Sequence, residues 1–224
     1  MRHSILVSWS GGKDAAWTLH ALRGSAEYDV VGLITTVTEG FERIAMHGIR
    51  RDILHAQAEA VGLPVIEARL PQRADNATYE TVFTNALDTA RLRWPGVAQI
   101  AFGDLHLADV KAYRDALCAR LDWTPVYPLF GSDTKVLANE MLAGGLRATL
   151  CCVDTRQLDA RHAGREFDAQ LLAELPATVD PCGENGEFHT CVHAGPMFAR
   201  RLNLTCGETV LRDARFAFCD LLLA

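Results

Sequence analysis

The sequence predicts an α/β fold, a doubly wound and mainly parallel sheet followed by a small C-terminal α+β appendage, and three observations predict it. Short apolar or β-branched runs alternate with stretches of helical spacing from about residue 5 to residue 153. The turn between the first strand and the first helix is glycine-rich, at the place where open α/β sheets bind their ligands. After about Asp154 the alternation gives way to short stretches of period two separated by glycine and proline. The expected division is therefore an α/β unit over 1–154 and an appendage over 155–224.

Taken in order, Ile5 to Trp9 is an apolar run of strand length, and Ala15, Leu19 and Leu22 recur at helical spacing until Gly24. Val30 to Val37 is nearly continuous in β-branched and apolar residues, as a parallel strand covered on both faces requires. A loop with Glu39, Gly40 and His47 leads to a helix marked by Ile49, Ile53, Ala56 and Ala60, which Gly62 and Pro64 end. Val65 to Ala68 is a short strand. Tyr79, Val82, Phe83, Ala86, Leu87 and Ala90 give the longest amphipathic helix, stopped by Pro95 and Gly96. Val97 to Phe102 is a strand, Val110 to Leu121 a helix, Pro125 to Leu129 extended, Asp133 to Leu142 a helix, and Arg147 to Val153 a further strand of the same alternation. Beyond it the spacing predicts a short helix at Phe167 to Leu175, alternating strands at Glu187 to His193 and Met197 to Leu204 around the turn Ala194-Gly195-Pro196, and a last strand at Phe216 to Leu222.

Composition narrows the functional classes. With 224 residues, 49% hydrophobic and 22% charged, the chain has the make-up of an ordinary globular protein. A net charge of −6 does not indicate the broad basic surface that nucleic acid needs. No apolar run approaches the roughly 18 to 20 residues of a membrane span, and no signal-like core precedes the first strand, so cytoplasmic residence is expected. None of the seven cysteines stands in a C-x-x-C pair, which makes a zinc or iron-sulfur site weakly supported and reduced core thiols the expectation.

The stretch Ser10, Gly11, Gly12, Lys13 and Asp14 is the strand-to-helix turn. Two glycines allow close approach of the backbone to a ligand, helix N-terminal amides face that ligand, and Ser10 and Lys13 add a hydroxyl and a charge. This suits a phosphate, although neither the Walker spacing nor the three-glycine dinucleotide pattern is present. The plain alternative is a Gly-Gly turn that only starts a helix. A second cluster, Gly183, Glu184, Asn185, Gly186, Glu187, Phe188, His189 and Thr190, combines a tight turn with two carboxylates. Period two then puts Glu187, His189, Cys191 and His193 on one face, which is either solvated or a site. Joint zinc binding by His189 and His193 is disfavoured, since four strand residues separate them by about 13 Å. His47 is within reach of a phosphate or is a surface histidine. Asp104, at a strand's C-terminal end, suits ribose, Mg²⁺ or ammonium, or else an N-cap, and His106 reads as a loop histidine.

The strand, SGGxD and helix so near the start resemble the PP-loop of the ATP pyrophosphatase superfamily, with its Rossmann-like HUP fold. Met46 to Arg50 (MHGIR), Gln57 to Pro64 (QAEAVGLP), Phe102 to Asp104 (FGD), Pro128 to Phe130 (PLF) and Gly183 to Thr190 (GENGEFHT) then follow in the order of the diphthine-ammonia ligase family. Two positions depart from it: Ala15 stands where Ser or Thr is usual, removing one hydroxyl donor, and Phe130 stands where Trp is expected. The resemblance implies an AMP-forming amide ligase in which ATP, with Mg²⁺, adenylates a small or protein-borne carboxylate and ammonia displaces AMP. It implies that Ser10, Gly11, Gly12 and Lys13 hold the outer phosphates, with Asp14 orienting the loop or Mg²⁺. Thr35, His47, Gly103, Asp104 and Thr190 fall among the nucleotide contacts. Glu184 and Glu187 serve the metal or the ammonium, with Lys13 and His189 as catalytic partners. A homodimer is compatible with the reading. The competing classes are a PP-loop enzyme modifying tRNA and an ATP-binding sensor without catalysis.

Overall fold

The computed structural model describes residues 2–224. In chain order its elements are β1 (His3–Ser8), α1 (Lys13–Gly24), β2 (Tyr28–Thr38), β3 (Arg43–Ile44), α2 (Arg51–Val61), β4 (Val65–Leu70), α3 (Asn76–Arg93), β5 (Gln99–Ala101), α4 (Ala108–Arg120), β6 (Thr124–Val126), α5 (Thr134–Ala143), β7 (Arg147–Asp154), α6 (Ala169–Glu174), β8 (Phe188–Ala194), β9 (Leu204–Arg212) and β10 (Phe216–Leu223). Strands β4, β2, β1, β5 and β6 lie side by side and parallel, and β3 adds a short antiparallel pairing to the end of β2.

Period two in the central strands sends side chains to two different cores. Ile5, Val7, Leu33 and Val37 pack with α1 and α2 on one face, while Leu6, Ile34, Ile66 and Ala68 pack with α3 and α4 on the other. The mainly parallel, doubly wound sheet expected from the alternation is therefore present. Helix ends follow local chemistry: Asp75, Asp133 and Asp168 accept the N3 amides of α3, α5 and α6, and Gly62 closes α2 in the left-handed conformation. No described helix is long and apolar enough to cross a membrane.

A second sheet, entirely antiparallel, has the order β8-β7-β10-β9. It packs on the α1 and α2 side, and Leu150, Cys151, Val153, Phe188 and Val192 join that core. Three expectations are corrected here. Arg147 to Val153 belongs to this sheet and not to the parallel alternation, because β7 finds its partners in β8 and β10. Met197 to Leu204 is not a strand: its first seven residues form a loop anchored by the buried Met197 and Leu202, with Leu202 N bonding back to the His193 carbonyl, and only Leu204 belongs to β9. Strand β9, at Leu204–Arg212, lay outside the expected strands over most of its length.

Candidate active site

Strand β1 ends beside β5, and the two crossovers leave for opposite faces of the sheet: α1 to one, α4 to the other. A crevice at the carboxyl ends of the strands is the usual binding place in such sheets, and the Ser10–Asp14 turn lies there. Gly11 adopts φ +76°, and a Cβ on it would stand 2.8 Å from Ile49 Cδ1 and 2.9 Å from Gln57 Oε1. Gly12 has an ordinary φ but is pressed between His47 Nε2 and the Thr190 carbonyl, 3.0 and 3.1 Å from where its Cβ would be. Gly12 is also the N-cap of α1, with no side chain of its own to close the helix. Ser10 Oγ accepts from Gly12 N at 3.3 Å, and Thr190 Oγ1 accepts from Lys13 N at 3.1 Å. The loop is thus strapped to β8, 177 residues away in sequence, and Val192 N completes the strap by donating to the Gly11 carbonyl.

Lys13 is buried at 2% exposure between the rings of Phe167 and Phe188, each about 5.6 to 5.7 Å from Nζ. Its ammonium donates to the Cys182 carbonyl and, at 2.8 Å, to Asp14 Oδ2. Burial works against the charge, but Asp14, with Cys182 and Glu184 nearby, outweighs it, and the Lys13 pKa lies above the ordinary lysine value. Burial pushes the Asp14 carboxyl upward in turn, with Lys13 pulling against it. On the other side of Gly12, His47 and His189 pack ring to ring at 4.5 Å. Burial and then the neighbouring Lys13 charge hold the His189 pKa down to about 4, and burial, His189 and Lys13 hold His47 well below its usual value. Both imidazoles are neutral near pH 7.

The carboxylates of the second cluster order the turn that carries them. Glu187, 1% exposed, accepts from Asp180 N and Asn185 Nδ2 with Oε1 and from Asn185 N with Oε2. Asp180 takes Cys182 N at 2.8 Å, Glu184 N at 3.3 Å and the Thr134 hydroxyl at 2.6 Å; nothing in its spacing had singled it out. Glu184 Oε1 accepts from Leu105 N and His106 N, so it fastens the loop after β5 to the 183–190 turn, and burial raises its pKa. The face of β8 that bears His189, Cys191 and His193 is not an open polar surface: Cys191 and His193 are buried, and His193 turns to Glu166 at 3.2 Å, away from His47.

Gly103 seats the loop after β5 on α1, since its Cβ would come within 3.0 Å of Asp14 C and 3.1 Å of Ala15 N. Asp104 pairs with Arg114 of α4 at 2.7 Å, and Arg114 lies over the Phe102 ring. Thr35 sits on β2 next to Ile34, whose carbonyl accepts from Trp9 N. Buried polar atoms normally find partners, and Asp14 Oδ1, Thr35 Oγ1 and His47 Nδ1 are among the buried atoms that have none among the described residues, which leaves them available to a polar ligand. No cluster of three metal-ligating side chains occurs among the described residues. Mg²⁺ ordinarily takes one or two carboxylates together with phosphate oxygens, and the free Asp14 Oδ1 fits that role, whereas both Glu187 oxygens are engaged in the turn.

Comparison with known proteins points the same way. Residues 1–124 match the Diphthamide synthase N-terminal domain and residues 133–220 the Diphthamide synthase C-terminal domain. Relatives named diphthine–ammonia ligase include one from Schizosaccharomyces pombe, 26% identical over 224 residues and covering 92% of this chain, and one from Danio rerio, 34% identical over 118 residues and covering 50% of it. The Homo sapiens protein of that name is 29% identical over 114 residues, 48% of this chain. The chain spans less than half of each of these proteins: 37%, 46% and 43% of their lengths. With both of its halves matched in order, and with the Ser10–Asp14 loop and the Gly183–Thr190 turn brought together in one site, this chain belongs to the diphthamide synthase family.

Proposed function

We propose that the chain is an ATP-dependent ligase that adenylates a carboxylate and transfers the acyl group to ammonia, releasing AMP and pyrophosphate, with the protein-borne carboxylate named by its relatives, diphthine, as the substrate class. The observation that carries this reading is the Gly11–Gly12 turn at the sheet's switch point, strapped to Thr190 and flanked by Lys13, His47 and Asp14. Carboxylates do not condense with ammonia unaided, because the leaving oxygen is poor; adenylation replaces it with AMP. The loop amides, Ser10 and Lys13 bind the β and γ phosphates and stabilise charge on the departing pyrophosphate. Mg²⁺ held by Asp14 would add positive charge at those oxygens. His47 and His189, neutral and buried, are hydrogen-bonding partners for phosphate or acyl oxygens. Glu184 keeps the loop after β5 against the site, and Glu187 supports the turn rather than the metal.

The reading is tested by calorimetric titration of the protein with ATP, ADP and AMP in the presence of Mg²⁺. ATP is expected to bind more tightly than AMP. A protein that binds no nucleotide under these conditions contradicts the proposal.

A further inference from the structure

Gln57 lies on α2, completely buried, and all of its polar capacity is directed at the nucleotide loop and the strand beside it. Its Oε1 accepts from Trp9 Nε1 at 3.0 Å; its Nε2 donates to the Gly11 carbonyl at 3.0 Å and to the Val192 carbonyl at 2.7 Å. The indole N–H fixes which end of the amide faces which way, since the reverse would set an oxygen against two carbonyls. Val192 N is the second donor to the Gly11 carbonyl, at 2.9 Å, so that oxygen has two partners.

The consequence lies on the other end of the same peptide. Gly11 C=O and Gly12 N–H belong to one trans peptide and point in opposite directions. Holding the carbonyl inward therefore holds the Gly12 N–H outward, where Ser10 Oγ is a distant partner at 3.3 Å. Between two glycines no Cβ opposes a flip of that peptide. A flip would aim a carbonyl oxygen at the bound anion and replace attraction with repulsion. We infer that Gln57 is a positioning residue that locks the Gly11–Gly12 peptide with its N–H toward the outer phosphates of ATP, an inference that rests on the loop being the pyrophosphate site.

The test compares ATP with AMP in the intact chain, because AMP lacks the phosphates the locked peptide faces. Gln57→Met keeps the reach of the side chain and removes both donors. It should weaken ATP binding about tenfold, the scale of one hydrogen bond, and leave AMP affinity within about twofold. Gln57→Leu, apolar and of similar volume, removes the same donors; it should show the same selective loss if the methionine variant does not fold. Unchanged ATP affinity in a folded variant, or equal losses for ATP and AMP together with a lower melting temperature, would overturn the lock. A wild-type chain that binds AMP but gains nothing from the added phosphates of ATP would overturn the pyrophosphate reading itself, and the lock with it.

Discussion

Lys13 carries a charge where water does not follow, and Asp14 and the Cys182 carbonyl make that tolerable. Removing the ammonium as Lys13→Ala should cost about 1.5 to 3 kcal/mol of charge-assisted bonding, a roughly 10- to 150-fold loss of ATP affinity measured by titration; an unchanged affinity would take Lys13 out of the site. Glu187→Gln sets an amide NH₂ against the donors that now face one of the two carboxylate oxygens. We expect a stability loss of about 1 to 3 kcal/mol, read as a lower melting temperature, with ATP affinity little altered. The two histidines give a pH signature. His189 titrates near 4 and His47 also below its ordinary value when folded, while in the unfolded chain both titrate near 6.5. The unfolded state then binds more protons between those limits, so their contribution to stability is full above about pH 6.5 and is lost as pH falls through 6 toward 4. Asp14 and Glu184, whose pKa values are raised, act in the opposite sense, so the comparison to make is wild type against His189→Gln. The variant should lose less stability between pH 7 and pH 4.5, and identical pH profiles would contradict the assignment.

At the scale of elements, the site is a junction of three segments: the loop after β1, the loop after β5 and the turn before β8. Gly103 is the tightest joint between the first two. Gly103→Ala drives a methyl group into the backbone of Asp14 and Ala15, and backbone cannot swing aside as a side chain can. ATP affinity should fall at least tenfold, and wild-type binding would show that the two loops need not touch. The elements that form this junction are mostly readable in the sequence, because the strands of the first part are short continuous apolar runs and its helices keep a period of 3.6 over buried faces. Periodicity does not say which sheet a strand joins, and β7 was accordingly placed with its sequence neighbours instead of with β8 and β10. Strand β9 is exposed on both faces over most of Leu204–Arg212, so no alternation announces it, whereas the residues just before it form a loop held by the buried anchors Met197 and Leu202. Ser10 to Asp14, His47, Glu184, His189 and Thr190, which glycine spacing and motif order single out, are brought close together by the fold. Gln57 as a loop contact and Asp180 are not singled out in that way, since each works through partners 46 or more residues away in the chain, or through backbone amides that no side-chain pattern reports.

For the whole molecule, the second sheet is part of the site and not an ornament on it. It supplies Thr190, His189 and Val192 to a loop whose other contacts come from α2 and β3 to α2, and its core is continuous with that of the first sheet. Binding to the loop should therefore stabilise both sheets together: saturating ATP is expected to raise a single melting transition, by about 2.7 kcal/mol at a concentration one hundredfold above the dissociation constant. Two separated transitions, only one of which ATP shifts, would mean that the sheets act independently. The proposed activity is cleavage of ATP between its α and β phosphates for ligation of a carboxylate to ammonia. The most direct measurement is the release of AMP and pyrophosphate from ATP by the purified chain with a diphthine-bearing protein, with and without ammonium. AMP and pyrophosphate formed in equal amounts, dependent on both the carboxylate and ammonium and lost in Lys13→Ala, is the predicted result. Release of ADP and phosphate, or AMP formation indifferent to carboxylate and ammonium, would contradict it.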